Sequence, residues 1–116
     1  MNQRIDLKAV LSGAGRSRSE RVALFALISL GIIESLANGL VSATDVVQVF
    51  FHAENCLFVR KQFKVKAAEE IMSHGVQLAD LFDALPADQA QREFNRELAT
   101  IRNLCLRLLK QRRSAA

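Results

Sequence analysis

His52 and Cys56 are the residues whose types and spacing come nearest to a metal site. They lie four residues apart, so a helix through both places them on one face, where an imidazole and a thiolate can share a zinc ion. A structural zinc site normally has four ligands, and the remaining candidates, His74 and Cys105, have no paired ligand beside them in the sequence. We therefore expect a core thiol, a histidine at the edge of the core and no bound metal.

Glu70 and His74 are a carboxylate and an imidazole that could exchange a proton, again four residues apart. Such a pair can act as general acid and base beside a bound substrate. The same spacing is also typical of an exposed ion pair on a helix, and the sequence offers no nucleophile, carboxylate pair or glycine loop in a recognisable context. We expect no catalytic residues, no cofactor and no enzyme activity.

Arg16, Arg18 and Arg21 lie in and just after a basic Ser/Gly-rich linker, residues 12–19. The linker leads into a predicted helix, whose unpaired N-terminal amides can bind a phosphate. However, the glycine spacing is neither that of a Walker loop nor that of a dinucleotide fingerprint, and no strand precedes it. A solvated linker is the expectation, with an anion site as the alternative.

The composition indicates one all-helical domain. The chain has 116 residues, of which 50% are hydrophobic, with only five Gly and one Pro. This is enough apolar material for a core without metals or disulfides, and the apolar residues mostly recur at helical spacing. We expect a single domain over residues 1–116, with residues 1–16 forming an arm.

The cysteines and the charge bear on compartment and partners. Cys56 and Cys105 both lie among leucines, which is typical of buried, reduced thiols in the cytoplasm. The formal net charge is +4, which is too small to identify a nucleic-acid-binding protein by itself.

Residues 22–40 predict the helix around which the other segments are organised. A capping box, Ser17 with Glu20, precedes this stretch, and Gly39 suits the left-handed position at its end. The first dozen residues are apolar on every side of the helix, and such a helix is expected to be buried all round. Glu34 shortens the uninterrupted apolar stretch to the length of a core helix, so we expect no membrane contact.

The other segments predict the helices that pack around this central helix. They are a short helix within residues 4–11, another after Ser42, a long helix over residues 65–85 and a last helix that starts at Pro86. Gly75, within the long helix, predicts a close approach by another helix. The expected fold is all-α, a compact bundle of four to five helices around a central buried hydrophobic helix, ending in a long helical hairpin.

The last helix has an apolar seam and a basic face. The seam repeats at alternating spacings of four and three and consists of Phe94, Leu98, Ile101, Cys105 and Leu108. The basic face, on the opposite side, contains Arg92, Arg96, Arg107 and Lys110. Such a row can contact phosphates, bind an acidic protein or stay solvated, so the alternative function is a nucleic-acid-associated regulator.

Leu81, Leu104 and Leu106 lie outside the seams that a single chain is expected to cover. Leu104 and Leu106 fall on opposite sides of the seam at 100° per residue, and one neighbouring helix cannot cover both. These three leucines predict a partner-binding patch, most simply that of a homodimer. In the competing interpretation the N-terminal segment covers them within one chain. We expect a small cytoplasmic protein that acts by protein–protein association.

Overall fold

The computed structural model describes residues 4–12 and 17–115, with side chains to residue 111. The described residues form seven helices and no strand. The helices are α1 (Leu7–Leu11), α2 (Arg18–Ala37), α3 (Ala43–Val49), α4 (Ala53–Gln62), α5 (Lys66–Val76), α6 (Asp80–Ala84) and α7 (Ala87–Ala115). The predicted all-α class is confirmed, whereas the predicted number of four to five helices is wrong, because short turns divide the chain more often.

The ends of α2 and the start of α3 follow the sequence signals. The hydroxyl of Ser17 accepts a hydrogen bond from the Glu20 amide at 3.2 Å, and the hydroxyl of Ser42 accepts one from the Asp45 amide at 3.1 Å. Both serines satisfy an amide that a helix leaves without a backbone partner. Gly39 has a φ of +70°, the left-handed conformation that ends a helix at little steric cost. These three predictions are confirmed.

The predicted long helix over residues 65–85 is wrong in one respect, because a turn at residues 77–79 separates α5 from α6. In this turn the Gln77 amide bonds to the His74 carbonyl at 3.3 Å, and the Leu78 amide bonds to the Gly75 carbonyl at 3.2 Å. Such three-residue bonds tighten the backbone. Leu78 remains fully buried, so its apolar character fits an uninterrupted helix and a broken one equally well.

The core lies where α2 and α5 pack against α7. The whole predicted seam of α7, from Phe94 to Leu108, is buried. Beside it, the ring of Phe25 lies 5.6 Å from that of Phe63 and 6.2 Å from that of Phe50, measured between centroids. These aromatic contacts join α2 to the ends of α3 and α4.

The prediction that α2 is buried on every side is not met by a single chain. Phe25, Ala26 and Ile33 lie in the core, but Leu27 on the opposite side is 53% exposed. One side of this helix therefore packs, and the other stays open.

A search of the described residues for a helix long and apolar enough to cross a lipid bilayer finds none.

Gly75 makes the close contact that its position in the apolar arc predicts, but with a side chain and not with a helix. A Cβ at this position would lie 2.6 Å from Cγ of Phe51 and closer still to two other atoms of that ring. Phe51 is itself almost fully buried. The ring therefore needs the absence of a side chain at position 75.

We predict that Gly75→Ala destabilises the protein by about 1–3 kcal/mol, because the added methyl must displace a packed ring. Helix propensity alone predicts the opposite, a gain of about 1 kcal/mol. Urea unfolding followed by circular dichroism measures the difference. In a Phe51→Leu background the same substitution is expected to cost less, and an equal or greater cost there would contradict the proposed contact.

Candidate functional site

The main candidate site is a groove between α2 and α3. It has a volume of about 400 Å³ and its lining is apolar apart from Ser35 and Asp45. Ile28, Gly31 and Ile32 form its α2 side. A groove of this volume lies within the range of roughly 300–1,000 Å³ that is typical of binding pockets.

Gly31 leaves the α2 side of the groove open. A Cβ built on this glycine has no heavy atom within 4 Å. Leu27 lies one turn earlier and is largely exposed, and Leu24 and Ile28 beside it are half-buried. The outward side of α2 therefore presents a leucine that protrudes next to a position that has no side chain.

Asn55 holds the N-terminal arm that supplies another wall of this groove. Its side chain is 1% exposed and makes three hydrogen bonds. The Oδ1 atom accepts from the Leu7 amide at 3.0 Å, while Nδ2 donates to the carbonyls of Ile5 and Phe50, both at 2.8 Å. Ile5 lines the groove, so this buried amide fixes one wall of the site.

His52 supports the same connection and is not free to bind a metal. Its Nδ1 accepts a hydrogen bond from the Asn55 amide at 3.4 Å, and its Nε2 lies 3.0 Å from the Ile5 carbonyl oxygen. An imidazole protonated only at Nε2 satisfies both contacts. Both ring nitrogens are therefore engaged, and His52 caps α4 instead of pairing with Cys56.

The helical pair of Glu70 and His74 that the sequence spacing allows is not formed, because His74 pairs with a different carboxylate. The Nδ1 atom of His74 lies 2.5 Å from Oε2 of Glu97, which comes from α7. The pair connects α5 to α7 and is partly shielded, with the side chain of Glu97 20% exposed. Sequence spacing did not indicate it, because the partners are separated by a turn, a short helix and part of α7.

The two cysteines are unpaired, and burial makes both thiols harder to ionise. Burial raises the pKa of Cys105 to about 12. It also raises the pKa of Cys56, where the nearby Arg60 opposes the effect. Within the described part of the chain, no group of three or more His, Cys, Asp or Glu side chains is arranged to hold a metal ion.

The three leucines predicted as a partner-binding patch lie in different environments. Leu104 is 5% exposed and belongs to the core cluster, so the premise that one chain cannot cover it is wrong. Leu81 is half-buried against the same core, and Leu106 is half-buried. The competing interpretation is not supported either, because α1 packs on α2 and α4. A partner role for the three leucines stays a prediction.

The predicted basic face is exposed along α7. Arg92, Arg107 and Lys110 are exposed, while Arg96 forms an ion pair with Glu93 at 3.3 Å. A neighbouring arginine, Arg102, pairs with Glu34 of α2 at 3.1 Å. The face therefore exists, but acidic residues flank part of it.

Two of the three arginines of the alternative anion site lie within the described residues. Arg18 is exposed and Arg21 is half-buried, whereas Arg16 lies outside the described residues.

Sequence reasoning missed Asn55 and the groove itself. Asn55 stands one turn before Val59 on α4, and both are buried. The available signal was an asparagine at a position where helical spacing from Val59 predicts an apolar core residue. A buried amide needs several hydrogen-bond partners, so such an asparagine indicates a contact with another segment.

We predict that Asn55→Ala costs at least about 2 kcal/mol of stability, because it leaves buried polar groups of the arm without a partner. Urea unfolding measures the loss, and hydrogen exchange at the Leu7 amide is expected to accelerate. Asn103→Ala, at an exposed position of α7, is the control and should change stability by less than about 0.5 kcal/mol. Equal effects of the two substitutions would contradict the role of Asn55.

Comparison with protein families gives a match over most of the chain. The model of a family described as "Protein of unknown function (DUF3969)" matches residues 16–116. Neither the curated proteins nor the solved structures contain a match to the chain. Since the family match extends over most of the sequence, from the start of α2 to the C-terminus, this chain belongs to the DUF3969 family.

Proposed function

We propose that this protein acts by protein–protein association, and that the outward side of α2 with the adjoining groove is its binding surface. The observation that carries the proposal is the uncovered apolar side of α2, with Leu27 more than half exposed beside the open position of Gly31. Apolar surface of this kind commonly marks an interface. The proposed role needs neither a cofactor nor a catalytic group.

The partner in this proposal is a second copy of the chain. Leu27 and Gly31 are four residues apart, so an antiparallel helix pair with its twofold axis midway between them sets each Leu27 opposite the Gly31 of the partner. A protruding side chain then meets a position without one, twice and reciprocally, as a twofold interface requires. The missing side chain also allows the two helix axes to approach closely.

The acidic residues on this side of α2 already have partners within one chain. At 100° per residue, Glu20 and Glu34 both fall within about 20° of Leu27. Glu20 lies 3.4 Å from the capping hydroxyl of Ser17, and Glu34 is paired with Arg102 at 3.1 Å.

In the proposed dimer, α2 becomes the central buried helix that its sequence predicts. The pairing covers the side that one chain leaves open, and α5, α6 and α7 remain outside as a helical hairpin with a turn in its first arm. The two unpaired thiols, Cys105 buried and Cys56 half-buried, suit a reducing compartment such as the cytoplasm.

We predict a mass of twice 12.9 kDa for the wild-type protein in solution, measured by light scattering over a range of concentrations. Leu27→Asp is expected to halve it, because the interface would bury an unpaired carboxylate. Helicity should be retained, since Leu27 is already half exposed within one chain.

Val76→Asp is the matched control, because Val76 is 40% exposed but lies on α5. This variant should remain dimeric. A mass of one chain at every concentration would contradict the proposal. If Leu106→Arg dissociates the dimer and Leu27→Asp does not, the interface lies on α7 and not on α2.

A second proposal, contact with nucleic-acid phosphates, is supported by the exposed cations of α7. Among the described side chains, Arg92, Arg107 and Lys110 have no carboxylate partner. Such contacts contribute affinity that falls steeply as salt rises.

For this second proposal we expect fluorescence anisotropy to detect binding to duplex DNA or RNA at low salt. Joint substitution of Arg92, Arg96, Arg107 and Lys110 by Gln should remove the binding and its salt dependence. The control replaces four exposed cations outside α7 by Gln: Arg18, Arg60, Lys64 and Lys66. Absence of binding at low salt, or equal losses in both variants, would contradict it.

A further inference from the structure

A second depression lies where α1, α4 and the start of α2 meet, apart from the groove between α2 and α3. Its volume is about 520 Å³, and its lining combines basic and apolar side chains. We infer that it binds an organic anion whose carboxylate contacts the basic side chains and whose hydrocarbon part lies on the apolar wall. The inference does not depend on the proposed dimer.

The acidic residues of this depression are already engaged. Oδ1 of Asp6 accepts hydrogen bonds from the amides of Lys8 and Ala9, at 3.1 and 3.4 Å, and thereby caps α1. The carboxylate of Glu54 pairs with Arg4 at 3.5 Å. Among the described side chains, neither carboxylate forms an ion pair with a cation that lines the depression.

The basic residues of the depression are Lys8, Arg21 and Lys61. Within the described part of the chain, none of them forms an ion pair. The lining carries three cations against two carboxylates, Asp6 and Glu54, which leaves it positive by one formal charge, and a carboxylate is a ligand group that compensates this charge.

Arg21 gives an independent indication of a missing acceptor. Its Nε atom is buried and has no hydrogen-bond partner among the described atoms. Buried polar groups are nearly always hydrogen-bonded, so each exception needs an explanation. Since Arg21 lines the depression, an anion bound there can accept from this guanidinium.

The apolar wall determines the rest of the ligand. Leu57 is 42% exposed, and Phe58 next to it is half-buried. Both line the depression. A bare inorganic anion leaves these side chains in contact with water, whereas a hydrocarbon chain covers them. The volume of about 520 Å³ lies within the range of roughly 300–1,000 Å³ that is typical of small-molecule sites.

Isothermal titration calorimetry of the full chain with decanoate tests this inference. We expect decanoate to bind, decanol to bind at least tenfold more weakly because it lacks the charge, and acetate not to bind because it lacks the chain. Arg21→Gln should weaken decanoate binding roughly tenfold through the loss of a charged hydrogen bond. Leu57→Ser should weaken it through the apolar wall.

The control is Lys110→Gln, which also removes one positive charge but lies on α7, outside the lining of this depression. We expect it to leave the affinity for decanoate unchanged. Circular dichroism verifies that each variant keeps the helicity of the wild type. No binding of decanoate, equal affinity for decanol, or unchanged affinity in folded Arg21→Gln and Leu57→Ser variants would each overturn the assignment.

Discussion

The structure depends on one constraint: α2 is apolar on nearly every side, and one chain covers only part of it. The packed side supplies Phe25, Ala26 and Ile33 to the core, where α5 and α7 lie against it. On the other side, Leu27 and Gly31 face outward. The remaining helices are arranged around the packed side, and the groove beside α3 is what this partial coverage leaves open.

A polar connection complements the apolar core. Asn55 binds the backbone of the N-terminal arm on one side and the end of α3 on the other, and all its hydrogen bonds lie in a buried site. A fully satisfied buried amide fixes one geometry, because any displacement leaves polar groups without partners. The arm therefore contributes fully buried leucines, Leu7 and Leu11, together with Ile5 as a wall of the groove.

Local signals in the sequence were sufficient for some features and insufficient for others. Ser17, Ser42 and Gly39 act through neighbours within three or four residues, so the caps were predictable. The turn after Val76 was not, since apolar spacing continues through it. The hydrogen-bond partners of His74 and Asn55 come from distant segments of the chain. The side of α2 that becomes buried depends on how many other helices pack against α2. The fold class followed from periodicity, whereas the candidate site depended on tertiary packing.

In the proposed dimer a second copy of the chain covers the outward side of α2. The most direct measurement is an isotope-filtered nuclear Overhauser experiment on a mixture of labelled and unlabelled chains, which detects only contacts between molecules. We predict cross-peaks between the methyl groups of Leu27 and the α-protons of Gly31 of the partner. Intermolecular cross-peaks confined to α7, or none at millimolar concentration, would contradict it.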